Sequence, residues 1–167
     1  MKRNIVTAIV FATLVLAIAG VASAQDRGSC SYARVAGEWG YTFTATLILP
    51  TGPVPFAGVG RYTLDSAGNF SGTQVSNRGG ITSEDIIIGT ATVNPDCTGT
   101  FTVGIYDQSG NLLRTAIWAM VYVDKANEIR SILTSLVLQP SGTSVPAVAT
   151  DHAKRLFPGS AQEQDQQ

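Results

Sequence analysis

Cysteine and histidine are scarce in this chain, which contains two cysteines and one histidine in 167 residues. A structural zinc ion typically takes about four such ligands, and pairing the cysteines would leave only His152, so no metal site is expected. No Gly-x-Ser-x-Gly motif supplies a nucleophile for that histidine. We therefore predict a solvated His152, no catalytic residue and no cofactor.

Charge is also sparse and nearly balanced. Charged residues make up 14% of the chain, with 11 basic against 12 acidic side chains, and the basic ones are dispersed. A surface that follows the phosphates of nucleic acid needs clustered lysine and arginine. Nucleic acid is therefore not an expected partner.

Long apolar runs are lacking after the first 24 residues, which have the features of a signal peptide. Lys2 and Arg3 precede an apolar stretch over residues 5–19, and Ala22-Ser23-Ala24 matches a small-x-small cleavage site. The stretch is short for a bilayer core about 30 Å thick, and no basic stop-transfer cluster follows it. We predict a signal peptide over residues 1–24, no membrane span, and a secreted or periplasmic protein.

Removal of the signal peptide would leave 143 residues with nine basic and twelve acidic side chains, a formal charge of −3. This length is typical of one domain, which we place at residues 25–158. Residues 159–167 are polar and lack apolar periodicity, so we predict a disordered tail there.

The two cysteines, Cys30 and Cys97, both follow the predicted cleavage site. An even pair in an oxidising compartment is expected to form a disulfide. Closing a loop of this length stabilises the fold by roughly 4 kcal/mol in the chain-entropy model. The alternative is two buried free thiols.

Alternation with a period of two dominates the mature chain. Trp39, Tyr41 and Phe43 fall on one face of such a segment, while Thr42 and Thr44 fall on the other, as in a β-strand. Strands are predicted over residues 39–47, 56–64, 70–76, 85–93, 100–106, 112–123, 128–138 and 145–156. The last is also compatible with a helix over residues 147–153.

Turn signals separate these segments. The proline-rich residues 50–55 predict the first break, because proline cannot donate to a strand ladder. Asp65–Asn69 and Asp107–Asn111 share the pattern Asp-x-x-Gly-Asn, which is typical of hairpin turns. A calcium site at Asp65, Asp107 and Asp124 is the weaker interpretation, because turn aspartates usually bond their own backbone.

Seven or eight strands joined by short turns indicate an all-β fold. The favoured architecture is an antiparallel up-and-down barrel of about eight strands, which removes exposed sheet edges. An immunoglobulin-like β-sandwich is the alternative, although Trp39 follows Cys30 too closely for that pattern. A barrel of this size encloses a lumen that either fills with side chains or holds one small ligand.

The turn carrying the second cysteine supports a family resemblance. The segment Val93–Thr100 reads Val-Asn-Pro-Asp-Cys-Thr-Gly-Thr and, with the Gly37–Phe43 and Asp65–Gly72 patterns, resembles a group of small, largely uncharacterised secreted bacterial proteins with lipocalin-like barrels. Ala91 departs from the group, where an aromatic is expected. The resemblance implies export, a barrel and a disulfide, and no catalytic residue.

Four aromatic residues are candidates for lining the lumen: Tyr41, Phe43, Tyr62 and Phe101. The alternative is that they only pack a filled core. Whether the lumen is open or filled depends on the direction in which the glycines at 58, 60, 89 and 104 face. If they face inward they leave the lumen underfilled, whereas if they face outward they mark bends or bulges.

Residues 117–123 are apolar on both faces of the predicted sixth strand. We expect either homo-oligomerisation through this strand or cover by residues 25–36. Glu84 and Asp85 are adjacent, so their side chains are expected on opposite faces of a strand, which makes them a poor acid/base pair.

Three functions are compatible with these features. The first is a barrel that binds a small apolar ligand in its lumen, and the second is a non-enzymatic envelope or extracellular interaction or structural protein. A barrel isomerase or cyclase ranks third, because the sequence shows no unambiguous inward acid.

Overall fold

The computed structural model describes residues 29–157. The predicted signal peptide, residues 1–24, and the predicted tail, residues 159–167, lie outside this range, and both stay predictions. Within it, no helix has the length and apolar character needed to cross a membrane.

The described chain is all-β apart from one short helix and one 3-10 turn. Helix α1 spans Tyr32–Val35. The strands are β1 Gly37–Leu49, β2 Gly52–Leu64, β3 Asn69–Arg78, β4 Ile81–Val93, β5 Thr98–Tyr106, β6 Leu112–Val123, β7 Glu128–Leu138, β8 Thr143–Ser144 and β9 Ala147–Arg155. Burial alternates along most of them, as the period-two sequence pattern predicts.

Eight of these strands close into an antiparallel barrel. Strands β1 to β7 each pair with the next in the chain, and β9 runs between β7 and β1. The two-residue β8 only extends the edge of β7. Closure confirms the predicted barrel and excludes the sandwich, which would leave two separate sheets.

Helix α1 and the disulfide close one end of the barrel. Cys30 and Cys97 are joined, which confirms the predicted pairing and excludes free thiols in the described chain. The Cys30 backbone N–H also donates to the Pro95 carbonyl at 3.1 Å. The segment before α1 is thereby attached to the turn between β4 and β5.

Trp39 fills the barrel interior beside this helix. It is fully buried, and its indole N–H donates to the Val35 carbonyl at 3.1 Å. The Arg155 guanidinium lies 4.9 Å from the Trp39 ring centroid and donates to the backbone carbonyls of Arg34 and Ala36. The aromatic contact and the satisfied donors explain how an arginine is accommodated here.

Two details of the predicted strands are corrected. The break at residues 50–55 is only a turn at Pro50–Thr51, because β2 already begins at Gly52. Pro53 and Pro55 are tolerated because β3 pairs with β2 only from Phe56 onward. The last segment, β9, is a strand and not a helix.

The repeated hairpin turns behave as turn chemistry predicts. One carboxylate oxygen of Asp65 accepts from the backbone N–H groups of Ala67 and Asn69, both at 2.8 Å. Asp107 makes the equivalent bonds in its own turn. Within residues 29–157, no group of three His, Cys, Asp or Glu side chains is placed to hold a metal ion.

Candidate ligand-binding lumen

The barrel interior is incompletely filled. A cavity of about 90 Å³ lies in its middle and at the end away from α1. One water needs only about 10–15 Å³, and an engineered apolar cavity of about 150 Å³ holds benzene. The wall is mostly aromatic and aliphatic, and its members include Tyr41, Phe43, Ala45, Leu47, Phe56, Tyr62, Phe70, Ile87, Phe101, Val103, Ala116, Trp118, Leu136 and Ala149.

All four aromatic residues predicted to face the lumen line this cavity. The Tyr62 ring lies 5.7 Å from Tyr41 and 5.7 Å from Phe101 between ring centroids. Phe43 packs edge-on against Phe56 at 5.0 Å. These rings form a connected wall, and their role toward a ligand stays a prediction.

The glycines do not create the empty space. Gly58, Gly60 and Gly89 belong to the inward face, and each lies under an aromatic ring of the neighbouring strand: Phe43, Tyr41 and Phe70 respectively. Gly104 instead alternates with the buried Val103 and Ile105 and therefore faces outward. The rings occupy the volume that the inward glycines leave.

Alanines account for the opening instead. Ala45 and Ala149 pair across β1 and β9, and Ala147 and Ala116 also line the cavity. Each places a single methyl group where a leucine would fill the lumen. Their common feature, small residues on the inward face of strands, is the sequence signal that could have located the opening.

One side of the cavity holds a buried ion pair. Arg114 donates to Asp85 Oδ2 at 2.7 Å, and Gln74 Nε2 and Ser76 Oγ donate to the same oxygen at 2.9 and 3.2 Å. Tyr41 Oη donates to Gln74 Oε1 at 2.9 Å. Each of these polar side chains has at least one hydrogen-bond partner, so the network holds them in fixed positions.

A second carboxylate, Asp151, lines the cavity with fewer partners. It accepts one bond, from Ser131 Oγ at 2.9 Å, and keeps part of its surface accessible, as expected for a group bordering a cavity. Burial raises the pKa of Asp151 to about 6, although the Ser131 bond and the charge of His152 act in the opposite direction. The Tyr62 hydroxyl is buried in the same wall without a hydrogen-bond partner in the described chain.

These acids correct the sequence analysis, which found no unambiguous inward acid. Asp85 is 2% exposed and Asp151 borders the cavity. Glu84 and Asp85 do lie on opposite faces of β4, as predicted. Asp151 lies two residues from both Ala149 and Ala153, so all three fall on the same face of the strand. That spacing was the signal that could have placed Asp151 inside.

His152 lies on the outer side of the same strand. Its side chain is 42% exposed, and Nε2 lies 3.2 Å from Glu128 Oε1. The outer residues of β6, Ile117 and Val121, remain 38% exposed. Trp118 faces inward and lines the cavity, which accounts for the apolar inner face of β6.

The fold and site define a closed eight-stranded β-barrel with a partly empty apolar lumen. No protein-family model and no curated protein matches the sequence. Among solved structures, EF1p2_mFAP2b bound to DFHBI has a TM-score of 0.52 and 12% identity, covering 75% of this chain and 96% of that one. A structure from the de novo design of transmembrane β-barrels has a TM-score of 0.51 and 10% identity, covering 70% and 93%. At these identities the similarity shows the barrel fold alone.

Proposed function

We propose that this protein binds a small, largely apolar molecule in its lumen. The observation that carries the proposal is the cavity of about 90 Å³, lined by aromatic and aliphatic side chains and bordered by a few polar groups. Ligand sites usually combine an apolar wall with a small number of placed polar atoms. A barrel of similar fold has been solved with DFHBI bound.

We further propose that the protein acts outside the cytoplasm, as a secreted or periplasmic barrel of the lipocalin-like bacterial group. The disulfide supports this location, because such bonds persist in oxidising compartments. The signal-like start of the sequence is the other support.

The test is titration of the purified protein with benzene and with 1-butanol, followed by NMR shifts of lumen methyl groups such as those of Ile87 and Val103. We expect saturable one-site binding. A larger side chain in the cavity should compete with the ligand, so Ala149→Leu should weaken binding at least tenfold. Gly60→Leu is less suitable, because a Cβ there would lie 2.5 Å from the Thr73 carbonyl oxygen.

The matched control is Val148→Leu, on the neighbouring residue of β9. Val148 is 63% exposed and points away from the lumen, so its enlargement should leave affinity unchanged. Absence of saturable binding to either probe, or equal effects of the two variants, would refute a lumenal site.

A further inference from the structure

The charges of the lumen do not balance. Asp151 and Arg114 are the charged side chains in the described wall of the cavity, and Arg114 is already paired with the buried Asp85 behind it. Asp85 is satisfied by Arg114 and two neutral donors. Asp151 has only the Ser131 hydroxyl. A buried carboxylate without a counter-charge is costly, and a ligand cation would remove that cost.

A second, independent observation points to the same place. Tyr62 is 6% exposed and its side chain lines the cavity, while its buried hydroxyl has no hydrogen-bond partner among the described residues. Burial is the main cause of the raised pKa of Tyr62, the charge of Asp151 adds to it and the charge of Arg155 opposes it, so Tyr62 lies within electrostatic reach of Asp151 and of Arg155. A phenol oxygen and a carboxylate are both acceptors for N–H donors.

The surrounding rings favour a cation as well. Tyr41, Phe43, Tyr62 and Phe101 all line the cavity. A desolvated cation near such rings is attracted by their π-electrons. A neutral alcohol would use the apolar wall but would leave the carboxylate charge uncompensated.

We infer that the lumenal ligand is a small organic ammonium, held by Asp151 and Tyr62 with its carbon chain among the aromatic rings. This inference rests on the proposed lumenal binding function. It specifies the chemical class of the ligand and makes its affinity depend on the charge of Asp151.

Acidification should therefore release the ligand. An alkylammonium stays charged between pH 7.5 and 5, whereas Asp151 takes up a proton around pH 6 in the free protein. Affinity should fall about tenfold at pH 5. The other titratable or charged groups near Asp151 and Tyr62 are Tyr41, whose pKa is raised by burial, the Asp85–Arg114 pair, Arg155, and His152 with Glu128 on the outer side.

The experiment compares n-butylamine with its neutral isostere 1-butanol, each titrated by NMR into the wild type and into Asp151→Asn at pH 7.5 and pH 5. We expect the amine to bind the wild type at least tenfold more tightly than the alcohol at pH 7.5. Asp151→Asn keeps the side-chain shape, so it should abolish this preference and its pH dependence. Wild-type-like dispersion of the lumen methyl signals in the NMR spectrum of the variant would show that it is folded.

Three other results of this experiment would each overturn one part of the proposal. Equal binding of amine and alcohol by the wild type would overturn the ammonium inference and leave lumenal binding intact. An amine preference that persists in Asp151→Asn would overturn the role of Asp151. Failure of both probes to bind the wild type would refute the proposed function and the inference with it.

Discussion

Single residues decide which part of the lumen is filled. Gly58 and Gly60 lie under the rings of Phe43 and Tyr41, so these glycines make room for aromatic side chains instead of for a ligand. Ala45 and Ala149 do the opposite, because no larger group covers their methyl groups on the cavity side. Small size alone therefore does not identify the empty space.

Gly58→Ala tests this assignment. A Cβ at residue 58 would collide with the Phe43 ring and lie 2.9 Å from the Val75 carbonyl oxygen, which is backbone and cannot move freely. We expect a loss of about 1–3 kcal/mol in the free energy of unfolding, measured by urea denaturation. The control is Gly104→Ala, whose Cβ would meet only side-chain atoms of Tyr106 and Leu112. Equal losses in the two variants would contradict the account.

Asp151 also makes a residue-level prediction about stability and pH. Its pKa is about 6 in the folded protein against an ordinary 3.8, so the folded state binds the proton more tightly than the unfolded state. Ionisation of Asp151 therefore lowers the free energy of unfolding. This loss is absent below pH 4, grows as the pH rises to about 6, and is fully present above it. It amounts to about 3 kcal/mol.

Asp151→Asn removes this titration. The variant should be more stable than the ligand-free wild type at pH 7 by up to about 3 kcal/mol, and the advantage should shrink toward pH 4. Urea unfolding of both proteins at pH 4, 5, 6 and 7 measures the difference. A difference that does not change with pH would show that the Asp151 carboxyl is not destabilised by burial.

At the scale of strands, the sequence predicted existence and type well. The alternation of Trp39, Tyr41 and Phe43 placed β1 and its inward face correctly. The ends were less predictable, because whether Pro53 and Pro55 interrupt a strand depends on where the neighbouring strand stops. That is a tertiary property with no local signal.

Strand β6 illustrates a second limit. Its two apolar faces predicted either a partner or an internal cover, and the structure leaves Ile117 and Val121 partly exposed on the outside. Adjacent exposed apolar residues include Ile132 of β7, which is 52% exposed and pairs with Ala119. An apolar patch of this kind is typical of association surfaces.

We therefore keep the prediction that the protein self-associates through residues 117–123. Light scattering of the mature protein should give a dimer or larger species. Replacing both Ile117 and Val121 by lysine should shift it to a monomer without unfolding it, because both side chains point away from the lumen. A wild-type protein that is monomeric at high concentration would end this prediction.

At the scale of the whole molecule, closure of the sheet creates the candidate site. Residues distant in sequence become neighbours in the wall of the lumen, such as Phe43 of β1 and Asp151 of β9, which pair directly only because the last strand returns to the first. Pattern analysis predicted the barrel and four of its wall residues. It did not assign Asp85 or Arg114 to the interior, because a one-residue change of register exchanges the two faces of a strand. For Asp151 the parity with Ala149 and Ala153 pointed inward, but the apolar face of this segment was ambiguous between strand and helix.

The central claim is that the lumen contains apolar space open to a guest. Diffraction from crystals equilibrated with pressurised xenon tests it directly, because xenon occupies dry apolar cavities without needing a specific polar contact. The account predicts a xenon site among Phe43, Phe101 and Ala149 in the wild type and its loss in Ala149→Leu. A lumen closed by side chains, with no xenon inside the barrel, would contradict it.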